Sequence, residues 1–436
     1  MASDKNAPKL DRQFLEKITT NLDYFNKLQD LALLEREYKP WRYVKYHSPQ
    51  GIDAKDFWKM LLFVRKLRPI EHLDTGCDSP FVLAHPEALK KRLDNVYRIL
   101  TFSIETDSHF KSLDETKRRM YLQRSFAEEA ISSSQLEGAV TTRQVAREML
   151  LTKRAPIDNS ERMILNNYVT MSRLKEWRNK PLSLELIKDI QCQLTEGVLD
   201  DSKRGRFRRE EDNVVVANNV THEVVHQPPP CKRLEERLQK LVDFVNNDDD
   251  NGEFYYPIEK AAIIHFVIGY EHPFCDGNGR TARALFYWYL LRKGCWLIEF
   301  FSISSLLKRS VWRKQYNEAY VDVETNAFDL TYFVLFQMDC LYAAAKEFHE
   351  YVDTVQQEQK DLESLMKGIL NGRQISLVKH ARRHPNYVYT AAEHAAWHNI
   401  ALNSARSDLE GLKIKGFLTL SKKGRTKIYT YRGNRG

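Results

Sequence analysis

His272-Pro-Phe-Cys-Asp276-Gly277-Asn278-Gly279-Arg280-Thr-Ala-Arg283 is the stretch on which the reading of this chain turns. It follows an apolar segment through Ala261, Ile264 and Ile268 that opens at Pro257, a residue suited to the first turn of a helix. That helix is apolar almost all round and belongs at the centre of a core. The helical pattern resumes from Ala284 to Leu291. A glycine-rich loop therefore opens a second helix, and its backbone N–H groups and the helix dipole form an anion cradle that Gly277 and Gly279 let a phosphate approach. Arg280 and Arg283 stand three residues apart, so both guanidinium groups can grip one polyphosphate. Asp276 is placed to hold the magnesium that accompanies a triphosphate. His272 is the candidate base.

Simpler readings fail on the residues. A calcium loop needs an acid or amide, then Gly, where Arg280 and Thr281 stand, and Glu where Tyr287 stands. The G-x-x-x-x-G-K-[ST] pattern is absent. The glycines alone would read as a tight turn between helices, but the added histidine and paired arginines favour a site.

Around this stretch lie 436 residues, too many for one ordinary core. With 42% hydrophobic and 29% charged residues the composition is globular. No apolar run approaches the roughly 18 residues that span a bilayer, and the polar start MASDKNAPKL lacks a secretory core, so a soluble, cytoplasmic protein without a membrane partner is expected. Six scattered cysteines without C-x-x-C spacing read as reduced thiols.

The net charge of +8 is concentrated at one end: residues 371–436 hold 13 Lys/Arg against three acids, leaving 54 against 56 before them. A basic folded module with its own partner is implied, and duplex DNA is the first candidate.

The pattern elsewhere is overwhelmingly helical. Residues 1–115 give amphipathic segments such as Asp11 to Arg36 and Phe57 to Leu67, with no chemistry evident. Between 116 and 350, one β-like stretch runs from Asn213 to His226, two β-branched runs about Asn218-Asn219, and predicts a hairpin. A polar helix from about Ala343 to Lys367 leads through a linker at 351–370 into the tail. His265 reads as a satisfied core histidine, and His394 and His398, one turn apart, lack a third ligand for a metal.

HPFCDGNGRTAR resembles, at every signature position, the H-x-F-x-[DE]-G-N-G-R-x-x-R motif of Fic proteins. Gly205-Arg206-Phe207-Arg208 before the hairpin and Pro228-Pro229-Pro230 after it fall in that family's order, so the resemblance covers roughly residues 116–350. It implies an all-α Fic fold with a β-hairpin flap, and transfer of AMP from ATP to a hydroxyl side chain of a target protein. By that resemblance His272 is the general base, Asp276 holds magnesium, Gly277, Asn278 and Gly279 supply the anion hole, and Arg280 and Arg283 bind the β- and γ-phosphates. Val214, Val215, Val216 and Ala217 belong to a flap whose edge pairs with the target. Phe274 is the loop's core anchor.

Ser132-Ser133-Ser134-Gln135-Leu136-Glu137-Gly138 resembles the [ST]-x-x-x-E-[GN] inhibitory motif of the same family, with Ser133 and Glu137 at its fixed positions on a helix of about 117–138. The resemblance implies that Glu137 pairs with Arg283 in place of the γ-phosphate.

The tail runs helix, helix, helix, hairpin: Ile375 to His384, Ala391 to Asn399, Asn403 to Leu412, then Phe417 to Leu420 and Ile428 to Tyr431 about a basic wing. This resembles the winged helix-turn-helix domains behind some Fic cores, with Arg406 on the recognition helix and Lys422, Lys423 and Arg425 in the wing. The expected function is an autoinhibited adenylyltransferase. Its rival is a DNA-binding regulator whose core senses ATP and modifies mainly itself. A second copy of the chain is a further candidate partner.

Overall fold

The computed structural model describes residues 6–77, 79–105, 115–217, 223–247, 254–366, 368–385, 387–423 and 426–432. Helices α1 (Arg12–Thr20) and α2 (Leu22–Leu34) divide the single amphipathic segment expected there. The break is at Asn21, whose Oδ1 accepts from the Tyr24 N–H at 3.0 Å and so starts a new helix. Next come α3 (Trp41–Val44) and α4 (Ala54–Arg65), the latter capped by Asp53. These helices bury Phe14, Leu28, Trp41 and Trp58 in a small core of their own. The region is not wholly helical: β1 (Arg68–Asp74) and β2 (Pro80–Leu83) pair antiparallel. Pro69, Gly76 and Pro80 exclude a continuous helix there. With α5 (Glu87–Glu105), this ribbon shares the main core, which runs from Tyr38 to Val352 and so begins before residue 116.

The main unit continues with α6 (Glu115–Leu136), α7 (Arg143–Thr152), α8 (Asn159–Trp177) and α9 (Leu184–Leu194). A short ribbon follows, β3 (Val216–Ala217) and β4 (Val224–His226), then α10 (Leu234–Asn246), α11 (Pro257–Glu271), α12 (Asn278–Arg292), α13 (Ile303–Leu307), α14 (Ser310–Thr325) and α15 (Thr331–Met366). Helices α11 and α12 pack on each other at the centre, with α8 and α9 against α12 and α15 against α11. Ile258, Ile263, Ile264, Phe266 and Ile268 are all buried, so α11 has no solvent face, as its all-round apolarity predicts. Pro257 occupies its first turn, and the Glu259 carboxylate accepts from the Tyr256 N–H at 2.8 Å. Among the described residues no helix is long and apolar enough to cross a membrane.

Helix α15 crosses the expected linker without a break: its first half lies in the core, and it continues to Met366. The tail then folds about a separate core containing Val378, Tyr389, Leu409 and Tyr429. Its helices are α16 (Gly372–Arg383), α17 (Ala391–His398) and α18 (Leu402–Ile414). Strands β5 (Val388–Tyr389), β6 (Leu418–Lys423) and β7 (Thr426–Tyr431) form an antiparallel sheet in the order β5-β7-β6. The basic wing, expected as a loop over Ser421 to Lys427, is mostly strand, with Lys422 opposite Lys427. The tail docks through α16 on α15 and through α17 on α6.

Candidate active site

The site is built where α11 stops. Pro273 disfavours a helical His272, which takes the left-handed conformation (φ 44°) and caps the helix with its N–H on the Ile268 carbonyl at 3.1 Å. Its Nδ1 lies 3.1 Å from the Gly269 carbonyl. A carbonyl only accepts, so Nδ1 carries the proton and Nε2 is left as the basic nitrogen. Burial pushes the ring below the ordinary histidine value, against the opposing pull of the Gly269 carbonyl and the Glu137 carboxylate. The imidazole is therefore the free base at neutral pH.

Phe274, fully buried with its ring tilted against Phe207 at 5.3 Å between centres, anchors the loop. Asn278 holds that anchor with both ends of its amide: Oδ1 accepts from the Phe274 N–H, and Nδ2 donates to the Phe274 carbonyl, each at 2.8 Å. This amide is spent on the loop, which leaves the backbone N–H of Asn278 as the group that can face a phosphate. Gly277 is the N-cap with φ 83°, and a Cβ there would meet Thr195 at 2.9 Å. The N–H groups of Asn278 and Gly279, in the first turn of α12, have no intrahelical acceptor.

The two arginines are not equivalent. Arg280 has a fully buried side chain, donating to the Leu194 carbonyl at 3.1 Å and to Asp276 at 3.2 Å, so it braces the loop and is not paired with Arg283 on one open face. Arg283 turns toward α6. Its Nε donates to Ser133 Oγ at 2.8 Å, and its terminal nitrogen donates to the Ser133 carbonyl at 3.2 Å and to Glu137 Oε1 at 2.8 Å.

Helix α6 ends so as to deliver that carboxylate. Gly138 (φ 101°) closes it, with Gly138 N–H on the Gln135 carbonyl and Ala139 N–H on the Ser134 carbonyl, a Schellman arrangement. Glu137 projects over the first turn of α12, where a Cβ on Gly279 would fall 2.2 Å from Glu137 Oε1. A carboxylate is thus seated on the positive end of α12, at the place prepared for a phosphate. Burial alone would raise the Glu137 carboxyl; Arg283, helped by Arg280 and His272, outweighs it and holds the group below its ordinary value.

Residues 181–290, which hold α9, the ribbon, α11 and nearly all of α12, match the Fic/DOC family model. That segment is a Fic/DOC domain by this match. It is 27% identical over 180 residues to a protein adenylyltransferase Fic of Nematostella vectensis, covering 41% of this chain and 39% of that one. A protein adenylyltransferase Fic of Drosophila willistoni is 30% identical over 189 residues, 42% of this chain and 34% of the other. The chain thus spans under two fifths of the length of these curated relatives. A crystal structure of a Fic family protein from Desulfovibrio desulfuricans G20 superposes with a TM-score of 0.51 at 19% identity, over 81% of this chain and 98% of that one, a likeness of fold.

Within the Fic domain several residues support the loop without any signal in the motif itself. Arg208 donates from Nε to the His272 carbonyl at 2.9 Å, and from its terminal nitrogens to the carbonyls of Pro229 and Glu271 at 2.6 and 3.2 Å and to Cys231 Sγ at 2.6 Å. Glu271 forms a buried bidentate pair with Arg237 at 2.7 and 2.8 Å. Gln191 joins the loop to the Gly205 turn, donating to the Asp276 carbonyl at 3.0 Å and accepting from the Gly205 N–H at 2.7 Å. Glu129, buried in α6, accepts from Tyr287, Ser302 and both the N–H and hydroxyl of Ser304, which fastens α6 to α12 and α13. His265 is the satisfied core histidine expected, between Tyr316 at 3.2 Å and Gln337 at 2.9 Å, with burial driving it down to about 3.

The Fic flap is shorter than expected. Only Val216–Ala217 and Val224–His226 pair, Val214 and Val215 precede the ladder, and Asn218-Asn219 lie outside the described residues. Val215, Val224 and Val225 are exposed. His226 pins the flap base: Nε2 lies 2.7 Å from the Tyr270 carbonyl and Nδ1 3.1 Å from Glu324. Both nitrogens meet acceptors, so the doubly protonated ring fits; burial alone would lower its pKa, but Glu324 raises it. Asp276 is half-exposed, with Oδ1 accepting from the Gly277 N–H at 2.6 Å. No group of three metal-ligating side chains occurs among the described residues. A single carboxylate suits magnesium, which takes its other oxygens from phosphates and water. In the tail, Arg406 and Lys422 are exposed, Lys423 lies on β6 and Arg425 is outside the described residues.

Proposed function

We propose that this chain transfers AMP from ATP to a Ser, Thr or Tyr hydroxyl of a target protein and of itself, and that Glu137 restrains the reaction. The observation that carries the reading is the Glu137 carboxylate on the first turn of α12, bonded to Arg283 at 2.8 Å beside an imidazole whose Nε2 is free to accept a proton. The target oxygen attacks the α-phosphorus as pyrophosphate leaves, and its proton passes to His272 Nε2. Negative charge developing on the α-phosphate is met by the N–H groups of Asn278 and Gly279 at the positive end of α12. Asp276 would hold the magnesium, which neutralises charge on the phosphates. Arg283, once Glu137 withdraws, takes the γ-phosphate. Arg280, locked to Asp276 and Leu194, keeps the loop in shape.

The exposed flap valines offer a ribbon on which an extended target segment can lie. The tail is read as a winged helix on its three helices and small sheet, with Arg406 and Lys422 toward duplex DNA. Its free charge is smaller than the sequence suggests, because Lys413 and Lys427 pair with Glu410, each at 3.1 Å. Six free cysteines suit the reducing cytoplasm. The enzymatic reading is tested with ATP labelled separately at the α- and γ-phosphates. Protein should acquire the α-label only, and not in His272→Ala; γ-label in protein, or full transfer by the variant, overturns it.

A further inference from the structure

Helix α6 has a second functional face. Ser133 and Glu137 point to Arg283, whereas Tyr121, Ser125, Glu128, Ser132 and Gln135, spaced by three and four residues, form a stripe roughly 100° round the helix. That stripe is one wall of a cavity of about 310 Å³; α13 and α15 supply the others. The volume is at the lower end of the range for small-molecule sites.

The lining has two parts. Its floor is aromatic: Phe348 meets Tyr121 edge-on at 6.1 Å and lies 5.5 Å from Phe301, while Tyr351 meets Tyr121 at 5.8 Å. Its rim is cationic. Arg309 and Arg143 are neutralised by Glu347 and Glu128. Arg124 and Lys308 are not: the first lies 3.9 Å from the centre of the Tyr351 ring, and the second donates to the neutral amide oxygen of Gln135. Among the described residues neither has a carboxylate partner. Ser125, more than nine-tenths buried in the floor, has a hydroxyl with no hydrogen-bond partner. An apolar, ring-lined cavity with one unsatisfied hydroxyl and two cations without a carboxylate partner on its rim is built for a ring bearing an anionic group.

We propose that this cavity binds a small aromatic anion, an aryl phosphate or carboxylate, whose ring lies among Tyr121, Phe348 and Tyr351 and whose charge bridges Arg124 on α6 to Lys308 beyond α13. Such a ligand ties α6 to α13 and α15. Resting on the reading of Glu137 as inhibitor, it holds that residue on Arg283 and deepens inhibition, because a ligand favours the state that forms its site.

The test is equilibrium dialysis of 1-naphthyl phosphate against the full chain, which measures binding without any transfer reaction. One saturable equivalent is expected, weakened about tenfold or more in Arg124→Gln and in Lys308→Gln, both exposed positions, and retained in Arg283→Ala. Uncharged 1-naphthol should bind more weakly, and amide exchange across 125–137 should slow when the phosphate is bound. Absence of saturable binding, indifference to both cation variants, equal binding of 1-naphthol, or loss in Arg283→Ala, which would place the ligand in the nucleotide site, overturns the proposal, and unchanged exchange removes the link to inhibition.

Discussion

Replacing Gly279 by alanine sets a methyl group against the Glu137 carboxylate. The new Cβ would lie 2.2 Å from Glu137 Oε1, 2.9 Å from its Cδ and 3.1 Å from an Arg283 nitrogen. Gly279 lies within α12 and not at a positive φ, so alanine by itself stabilises the helix by about 0.5–1 kcal/mol. With Glu137 present, the clash expels the carboxylate and forfeits its charge-assisted bond to Arg283, worth about 1.5–3 kcal/mol. The net effect in the native background is a loss of roughly 0.5–2.5 kcal/mol. In a Glu137→Gly background the clashing oxygen is absent and the same alanine is neutral or stabilising. Four proteins suffice: the parent, each single variant and the double variant, compared by thermal unfolding midpoint. For a unit of this size each kcal/mol moves the midpoint by about 2–4 °C. Gly279→Ala should lower the midpoint in the parent and leave it unchanged or raise it beside Glu137→Gly. Equal shifts of the same sign in both backgrounds would show that Glu137 does not rest on α12.

Three further outcomes follow from the same geometry. Because burial holds His272 below its ordinary value near 6.5, a base that works unprotonated should give Glu137→Gly a kcat/KM that falls only as pH drops below that value; an acid limb at or above pH 7 contradicts this assignment. Arg208→Lys keeps the charge but loses the fork that holds the His272 and Glu271 carbonyls, so kcat should fall by about 10- to 100-fold with the KM for ATP nearly unchanged; a change in KM alone would contradict a positioning role. The full chain should retard duplex DNA with an affinity that falls steeply with salt, and Lys422→Ala should reduce that slope by about 0.9; no retardation at low salt would assign the tail to a protein partner.

The unit from Pro257 to Arg292 was legible because its signals are local: a proline at a first turn, an apolar helix, a histidine before proline, then glycines. Ser133 and Glu137 were legible only through their spacing, since the arginine they bind lies about 150 residues away. Elsewhere the sequence does not separate neighbours that folding separates completely. Glu128 and Glu129 are adjacent, yet one pairs with Arg143 and Arg147 while the other is buried under four donors from Tyr287, Ser302 and Ser304. Arg208 and Gln191 acquire meaning only from the carbonyls brought to them. Arg280 and Arg283, three apart in the sequence, diverge because Leu194 and Asp276 hold one while α6 holds the other. The β1–β2 ribbon carries no signal of its own in a region of helical periodicity, and the wing's polar strands read as loop because exposed strands carry no apolar alternation.

The central claim is that AMP transfer is catalysed by His272 and held back by Glu137. It is tested most directly by the initial rate at which ATP labelled at the α-phosphate marks protein, measured for the parent chain, Glu137→Gly, and Glu137→Gly with His272→Ala. Loss of one charge-assisted bond predicts a rise of roughly 10- to 150-fold in the first variant and no label in the second. Equal rates for parent and Glu137→Gly over a range of ATP concentrations, or undiminished labelling without His272, would contradict the account.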